Sequence, residues 1–166
     1  RRDGFWTPNQ RDPLHRAQTL RTALYVDPKR ALPFTYTWTQ SEFQNDFKSG
    51  FTQWGEVKTG DLLPYVPQHQ ASLRLPLQTQ SFHFVTIINY TSEMRDIAGQ
   101  GTLLTEEKIP DQLILDLNAG HRFHKRAQLY MSIDNILNQN TIVSRRPFGA
   151  RPGKPFLVRV GLKYNL

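Results

Sequence analysis

The stretch Lys154-Pro155-Phe156-Leu157-Val158-Arg159-Val160-Gly161-Leu162-Lys163-Tyr164-Asn165-Leu166 decides the fold. Phe156, Val158, Val160, Leu162, Tyr164 and Leu166 share one parity, and all are apolar. Of the interleaved Leu157, Arg159, Gly161, Lys163 and Asn165, all but Leu157 are polar or small. In a chain that is 38% hydrophobic, six apolar residues at six chosen positions arise by chance about 0.003 of the time. Successive side chains of a strand point to opposite faces, so the alternation predicts a strand with one apolar and one polar face. A helix would place Arg159 and Lys163 on the same face as Phe156 and Val160.

The same period recurs upstream. Ala127, Leu129, Met131 and Ile133 share a parity, as do Leu113, Leu115, Leu117 and Ala119. So do Ala71, Leu73, Leu75 and Leu77, and Phe34, Tyr36 and Trp38. Phe82, Phe84, Ile88 and Tyr90 alternate more loosely, and Leu20, Leu24 and Val26 mark the weakest candidate, over 16–26. The pattern predicts about seven strands of roughly ten residues, longer than the usual ~5–6 of soluble sheets. Asp27-Pro28-Lys29-Arg30, Gln78-Thr79-Gln80 and His124-Lys125-Arg126 read as short turns. The other links are long, about 47–67, 91–110 and 140–155, so an antiparallel meander puts all short turns at one end and all long loops at the other.

Composition narrows the function. The chain has 166 residues, a net charge of +7 and a mean hydropathy of −0.56. No apolar run approaches the ~18 residues of a membrane-spanning helix. Cysteine is absent, which excludes disulfide scaffolds, Cys-based zinc sites and Cys nucleophiles. His15, His69, His83, His121 and His124 show no metal-ligand spacing, no nucleophile or phosphate-loop motif is present, and neither an enzyme nor a resident cofactor is expected. The basic balance suits an anionic ligand, an anionic membrane surface or nucleic acid.

Strand length and asymmetry favour a membrane. A tilted strand needs ~9–11 residues to cross a bilayer, and outer-membrane barrels pair short turns on one side with long loops on the other. Aromatics stand at both ends of the apolar face: Phe82 with Tyr90 and Phe156 with Tyr164 lie eight residues apart. Eight residues at ~3.3 Å and a tilt of ~40° span roughly 20 Å, close to the height of an apolar band between aromatic girdles. Tyr36 and Trp38 join these four as expected membrane-facing girdle residues. The opposite face carries Thr35, Thr37, Thr39, Arg74, Asn89, Asp116, Asn118, Arg122, Asp134, Arg159, Lys163 and Asn165, which suits a polar lumen better than the core of a soluble sandwich. Seven strands cannot close a barrel around such side chains, because about eight is the minimum. The sheet is therefore expected to be part of a larger barrel.

Ser144-Arg145-Arg146-Pro147-Phe148-Gly149-Ala150-Arg151-Pro152-Gly153-Lys154 is the densest polar cluster. Guanidinium forks suit carboxylate or phosphate. The cluster reads as a ligand contact, or as a loop packed on its neighbours or on lipopolysaccharide. Without a stacking platform of aromatics it argues against nucleic acid.

Together, Asp61-Leu62-Leu63-Pro64-Tyr65-Val66-Pro67-Gln68-His69-Gln70, Tyr130-Met131-Ser132-Ile133-Asp134-Asn135-Ile136-Leu137-Asn138-Gln139, the arginine-rich loop and the terminal strand resemble the end of a TonB-dependent outer-membrane receptor of the ferric-citrate branch. The resemblance covers about 16–166 as a C-terminal barrel segment and leaves 1–15 as an unassigned, loop-like segment. It implies an all-β, 22-stranded transmembrane barrel in the bacterial outer membrane, with a plug and a TonB box encoded upstream. It further implies uptake of a ferric chelate, ferric citrate or another siderophore, with TonB and the barrel-assembly machinery as partners. Leu166 stands where the family usually ends in Phe, as the assembly signal. Arg95, Arg145, Arg146 and Arg151 are the expected ligand contacts in the long loops, and replacing Arg145 and Arg146 together by Gln is expected to weaken uptake with assembly intact. The rival readings are a porin or a receptor for a different substrate, and a soluble basic all-β module that binds nucleic acid.

Overall fold

The computed structural model describes residues 15–24, 32–51 and 53–165. Residues 1–14, the turn expected at 27–30, and Leu166 lie outside the described residues. In chain order the strands are β1 (His15–Leu24), β2 (Phe34–Phe43), the two-residue β3 (Phe47–Lys48) and β4 (Glu56–Val57), β5 (His69–Gln78), β6 (Phe82–Thr91), β7 (Met94–Arg95), β8 (Lys108–Ile109), β9 (Gln112–His124), β10 (Ala127–Asp134), β11 (Ile142–Ser144), β12 (Arg151–Pro152) and β13 (Leu157–Tyr164). No helix occurs among the described residues.

The seven long strands form one sheet in the order β1-β2-β5-β6-β9-β10-β13, every pair antiparallel and adjacent in sequence. This is the meander that the turn and loop lengths predict. Each long connection folds back on itself as a minute ribbon: β3 with β4, β7 with β8, and β11 with β12. These ribbons were not legible in the sequence, because two or three residues are too few to show a period.

Register carries the apolar phase across the whole sheet. Trp38 lies opposite Leu20 and His69, and Tyr36 opposite Ala71. Ala71 then faces Tyr90, and Tyr90 faces Leu113. Nearer the short turns, Phe84 faces Ala119, Ala119 faces Met131 and Met131 faces Val160. A slip of one residue at any pair would send that strand's apolar side chains to the other face. Tyr36, Trp38, Phe82, Tyr90 and Tyr164 all fall on the apolar side of this register, and Phe156, one residue before β13, continues its parity.

That apolar face has no cover. Leu77 is 69% exposed and Val160 65%, and Leu129, Val158 and Leu162 are exposed as well. Among the described residues the buried hydrophobics are Phe43, Val57, Ile109 and Ala127, of which only Ala127 lies at the short-turn end. A soluble sheet packs its apolar face into a core, and an uncovered band of this size marks a surface meant for another apolar phase. Gly120 and Gly161 lie on the polar side of the register. The His83 ring lies over Gly120, and Tyr130 lies over Gly161, where an added Cβ would come 2.1 Å from the phenol ring.

The edge strands β1 and β13 add unpaired backbone to this exposed face. The isolated chain in detergent-free buffer is therefore expected to scatter light as large species. A sharp monomer peak would contradict it. Gly161→Val is expected to displace Tyr130 and to lower barrel stability by about 1–3 kcal/mol, measured by urea unfolding of the intact barrel in bilayers.

Candidate functional site

The candidate site is the crown of long loops at one end of the sheet. Its base is a small aromatic cluster. Phe43, at the end of β2, meets Phe47 and Trp54 edge-to-face at 5.4 and 5.6 Å, and Phe51 packs on Trp54 at 5.7 Å. Single ladder rungs tie Leu62 to Glu42 on one side and to Gly99 on the other, stacking the 44–68 loop against the 92–111 loop.

The polar centre of the crown is Asp96, only 2% exposed. The Arg146 Nε donates to both its carboxylate oxygens at 3.2 and 3.1 Å, and the Tyr65 hydroxyl donates to Oδ1 at 2.8 Å. Tyr65 adopts φ +59°, a left-handed conformation rare for a non-glycine residue, and its N–H donates to the Arg95 carbonyl at 2.8 Å. The adjacent Arg145 Nε donates to the Lys108 carbonyl at 2.9 Å. Lys108 also pairs with Glu93, whose carboxylate holds the lysine ammonium above its ordinary pKa. Residues from three loops thus meet at one carboxylate.

A second cluster anchors the crown to the polar face of the sheet. Lys154 Nζ lies 2.9 Å from both Asp116 and Asp134, and Arg159 reaches Asp134 at 2.6 Å. Burial disfavours the Lys154 ammonium, but its hydrogen bonds to Asp134 and Asp116 outweigh this and hold its pKa above the usual lysine value. Asn135, wholly buried, donates from its backbone to Asp116 at 2.8 Å and from Nδ2 to the Lys154 and Gln139 carbonyls at 2.8 and 3.0 Å. Asn135 and Asn138 both take positive φ, +49° and +47°. Asn tolerates that region better than other side chains, which accounts for both asparagines in the stretch Asp134-Asn135-Ile136-Leu137-Asn138.

The four arginines named from sequence occupy different environments. Arg95 is buried, its guanidinium donating to the Gly101 carbonyl inside its own loop. Arg146 is engaged with Asp96, and Arg145 with loop carbonyls. Arg151, on β12, is exposed and makes no ion pair among the described residues. Beside them, Leu62, Leu63, Val66, Met94, Arg95 and Thr102 border a recess of about 290 Å³ between the 61–68 and 93–103 segments. Sequence reasoning missed Asp96 and quoted Tyr65 and Asn135 only within the stretches that carry the resemblance, without their partners, since a single Asp, Tyr or Asn outside a strand carries no periodic signal. Among the described residues no group of His, Asp and Glu could hold a metal ion.

A sheet with an uncovered apolar face, a charged opposite face and loops gathered at one end defines a segment of membrane β-barrel wall. Residues 20–136 match the family described as "TonB dependent receptor-like, beta-barrel", and the chain belongs to that family. Its place is the bacterial outer membrane. Among solved structures it is similar to the siderophore receptor PiuA from Acinetobacter baumannii, with 16% identity, a TM-score of 0.73, and coverage of 90% of this chain and 22% of that one. It is also similar to the unliganded ferric citrate transporter FecA, with 16% identity, a TM-score of 0.64, and coverage of 90% and 24%. The ferric-catecholate import receptor Fiu from K12 E. coli matches at 15% identity with a TM-score of 0.59, over 91% and 28%. Identities this low establish the shared fold. The chain spans between 22% and 28% of the length of these three relatives. A search of curated proteins finds no match.

Arg146→Gln leaves the buried Asp96 carboxylate without its cation, and is expected to cost about 1–3 kcal/mol of loop packing. Limited proteolysis of the intact receptor should show faster cleavage within 91–110 and 140–155, and Asp96→Asn added to it should recover most of the protection. Equal cleavage rates for wild type and Arg146→Gln would contradict the assignment.

Proposed function

We propose that this chain is the C-terminal barrel segment, over 16–166, of a receptor that takes up an anionic ferric chelate, ferric citrate or another siderophore, with energy delivered through TonB. The family assignment and the ferric or siderophore receptors among the structural relatives support transport over catalysis. The observation that carries the reading is the loop crown, which three loops hold in one shape around Asp96 while Arg151 stays free of ion pairs among the described residues. A fixed crown with a free guanidinium can meet a carboxylate-rich chelate without first ordering its loops.

Uptake through TonB requires a plug inside the barrel, and the proposal assigns that part, the TonB box and most ligand contacts to the rest of the receptor. The barrel-assembly machinery and lipopolysaccharide are its further proposed partners. Arg145 and Arg146 act on the ligand through loop shape, so replacing both by Gln would perturb the crown as well as its charge. Arg151→Gln separates the two effects. In the intact receptor it is expected to weaken uptake of radiolabelled ferric citrate by roughly tenfold, the effect of one charge-assisted hydrogen bond, with unchanged surface expression. Uptake equal to wild type, at equal expression, would overturn the role of Arg151.

A further inference from the structure

Charge is distributed unevenly along the strands. Residues 71–91, 117–133 and 157–165 contain no Asp or Glu, and the acidic residues of the sheet lie in its long-loop half. At the opposite end, the hairpin tip His124-Lys125-Arg126 joins β9 to β10. Together with Arg122 and Lys163 it borders a recess of about 190 Å³. Arg122, Lys125, Arg126 and Lys163 are all exposed, and none joins an ion pair among the described residues. At the loop end, by contrast, Lys154 and Arg159 are neutralised by Asp116 and Asp134.

The uncovered apolar face of the same strands is grooved. Ala119 leaves a trough of about 370 Å³ walled by Phe82, Phe84, His121, Leu129 and Met131. His121 stacks on Phe82 at 4.1 Å and closes the trough toward the hairpin. From Ala119 to Lys125 is six residues of chain. At ~3.3 Å per residue and a tilt of ~40°, that is roughly 15 Å along the membrane normal, half of the ~30 Å hydrocarbon core. The trough, with Phe82 of the girdle in its wall, therefore lies in the short-turn half of the apolar band, and the free cations lie beyond it at the headgroups of one leaflet. Short turns face the periplasm in outer-membrane barrels, so that leaflet is the inner one.

We propose that this surface binds an anionic phospholipid of the inner leaflet, with an acyl chain in the Ala119 trough and the headgroup phosphate at Lys125 and Arg126. Arg122 and Lys163 rise from the lumenal face and add to the field at the rim. An acidic polypeptide in the lumen would suit those two cations alone, whereas the lipid accounts for the trough and the hairpin tip together. The proposal rests on the outer-membrane placement and is independent of the transported chelate.

The test uses the intact receptor, exchanged into nanodiscs of phosphatidylethanolamine with or without phosphatidylglycerol, and native mass spectrometry of the lipid retained on release. Wild type is expected to retain phosphatidylglycerol over phosphatidylethanolamine, and K125Q/R126Q to lose that preference by roughly fivefold per cation removed. Ala119→Leu is expected to lower retention of both lipids while keeping the preference between them. Heat-modifiable migration in SDS confirms that each variant barrel is folded. Equal retention of the two lipids by wild type, or an undiminished preference in K125Q/R126Q, would overturn the proposal. So would unchanged lipid retention in K125Q/R126Q accompanied by looser, protease-sensitive packing inside the lumen, which would assign the cations to an acidic protein surface.

Discussion

Backbone hydrogen bonding in lipid is the constraint on which the rest of this structure depends. Hydrocarbon offers no partner for an N–H or C=O, so a chain that crosses it as strands must pair every strand with a neighbour. The meander β1-β2-β5-β6-β9-β10-β13 does this for all of its inner strands and leaves two edges for the rest of a barrel to close. In-register pairing then gives the sheet one apolar and one polar side without any core. Side chains such as Val160 and Leu162, which would be a liability in water, become the means by which the strands stay in the membrane.

Freed from building a core, the sheet leaves the packing to its ends. Phe43, Val57 and Ile109 are buried in or beside the long loops, and Asp96 is held there by Arg146 and Tyr65. The lumenal ion pairs of Lys154 and Arg159 tie that crown down to β9 and β10. Among the described residues the short-turn end shows no such network: Lys125 and Arg126 project from a hairpin with no acidic residue nearby in the described sheet. At the loop end Lys154, Arg159 and Arg146 are thus paired with carboxylates from within, whereas Lys125 and Arg126 at the other end are exposed.

Much of this was legible in the sequence, because period two over eight or more residues is a strong signal and the bilayer enforces it. The strands, their order and the shared face of Phe82, Tyr90 and Tyr164 follow from alternation and turn spacing alone. Val85 and Ile87 blurred the pattern in β6, since apolar residues also occur on the lumenal face, and register rather than composition assigns them there. The crown was not legible. Arg95 and Arg146 look alike in sequence, yet one is buried against a carbonyl and the other bridges to a carboxylate fifty residues away. Such partners are set by how three loops stack, and nothing local in the chain records it.

The central claim is that the face carrying Leu129, Met131 and Ile133 meets lipid while its opposite meets water. This chain contributes no cysteine of its own, so single cysteines introduced from Gln128 to Ile133 of β10 can each carry a spin label in the intact receptor in bilayers. The account predicts that collision with oxygen, which concentrates in lipid, is high at 129, 131 and 133. Collision with a water-soluble nickel chelate should exceed it at 128, 130 and 132, giving a period of two with opposite phase for the two probes. Uniform access of the nickel chelate along the strand, or the inverse phase, would contradict it.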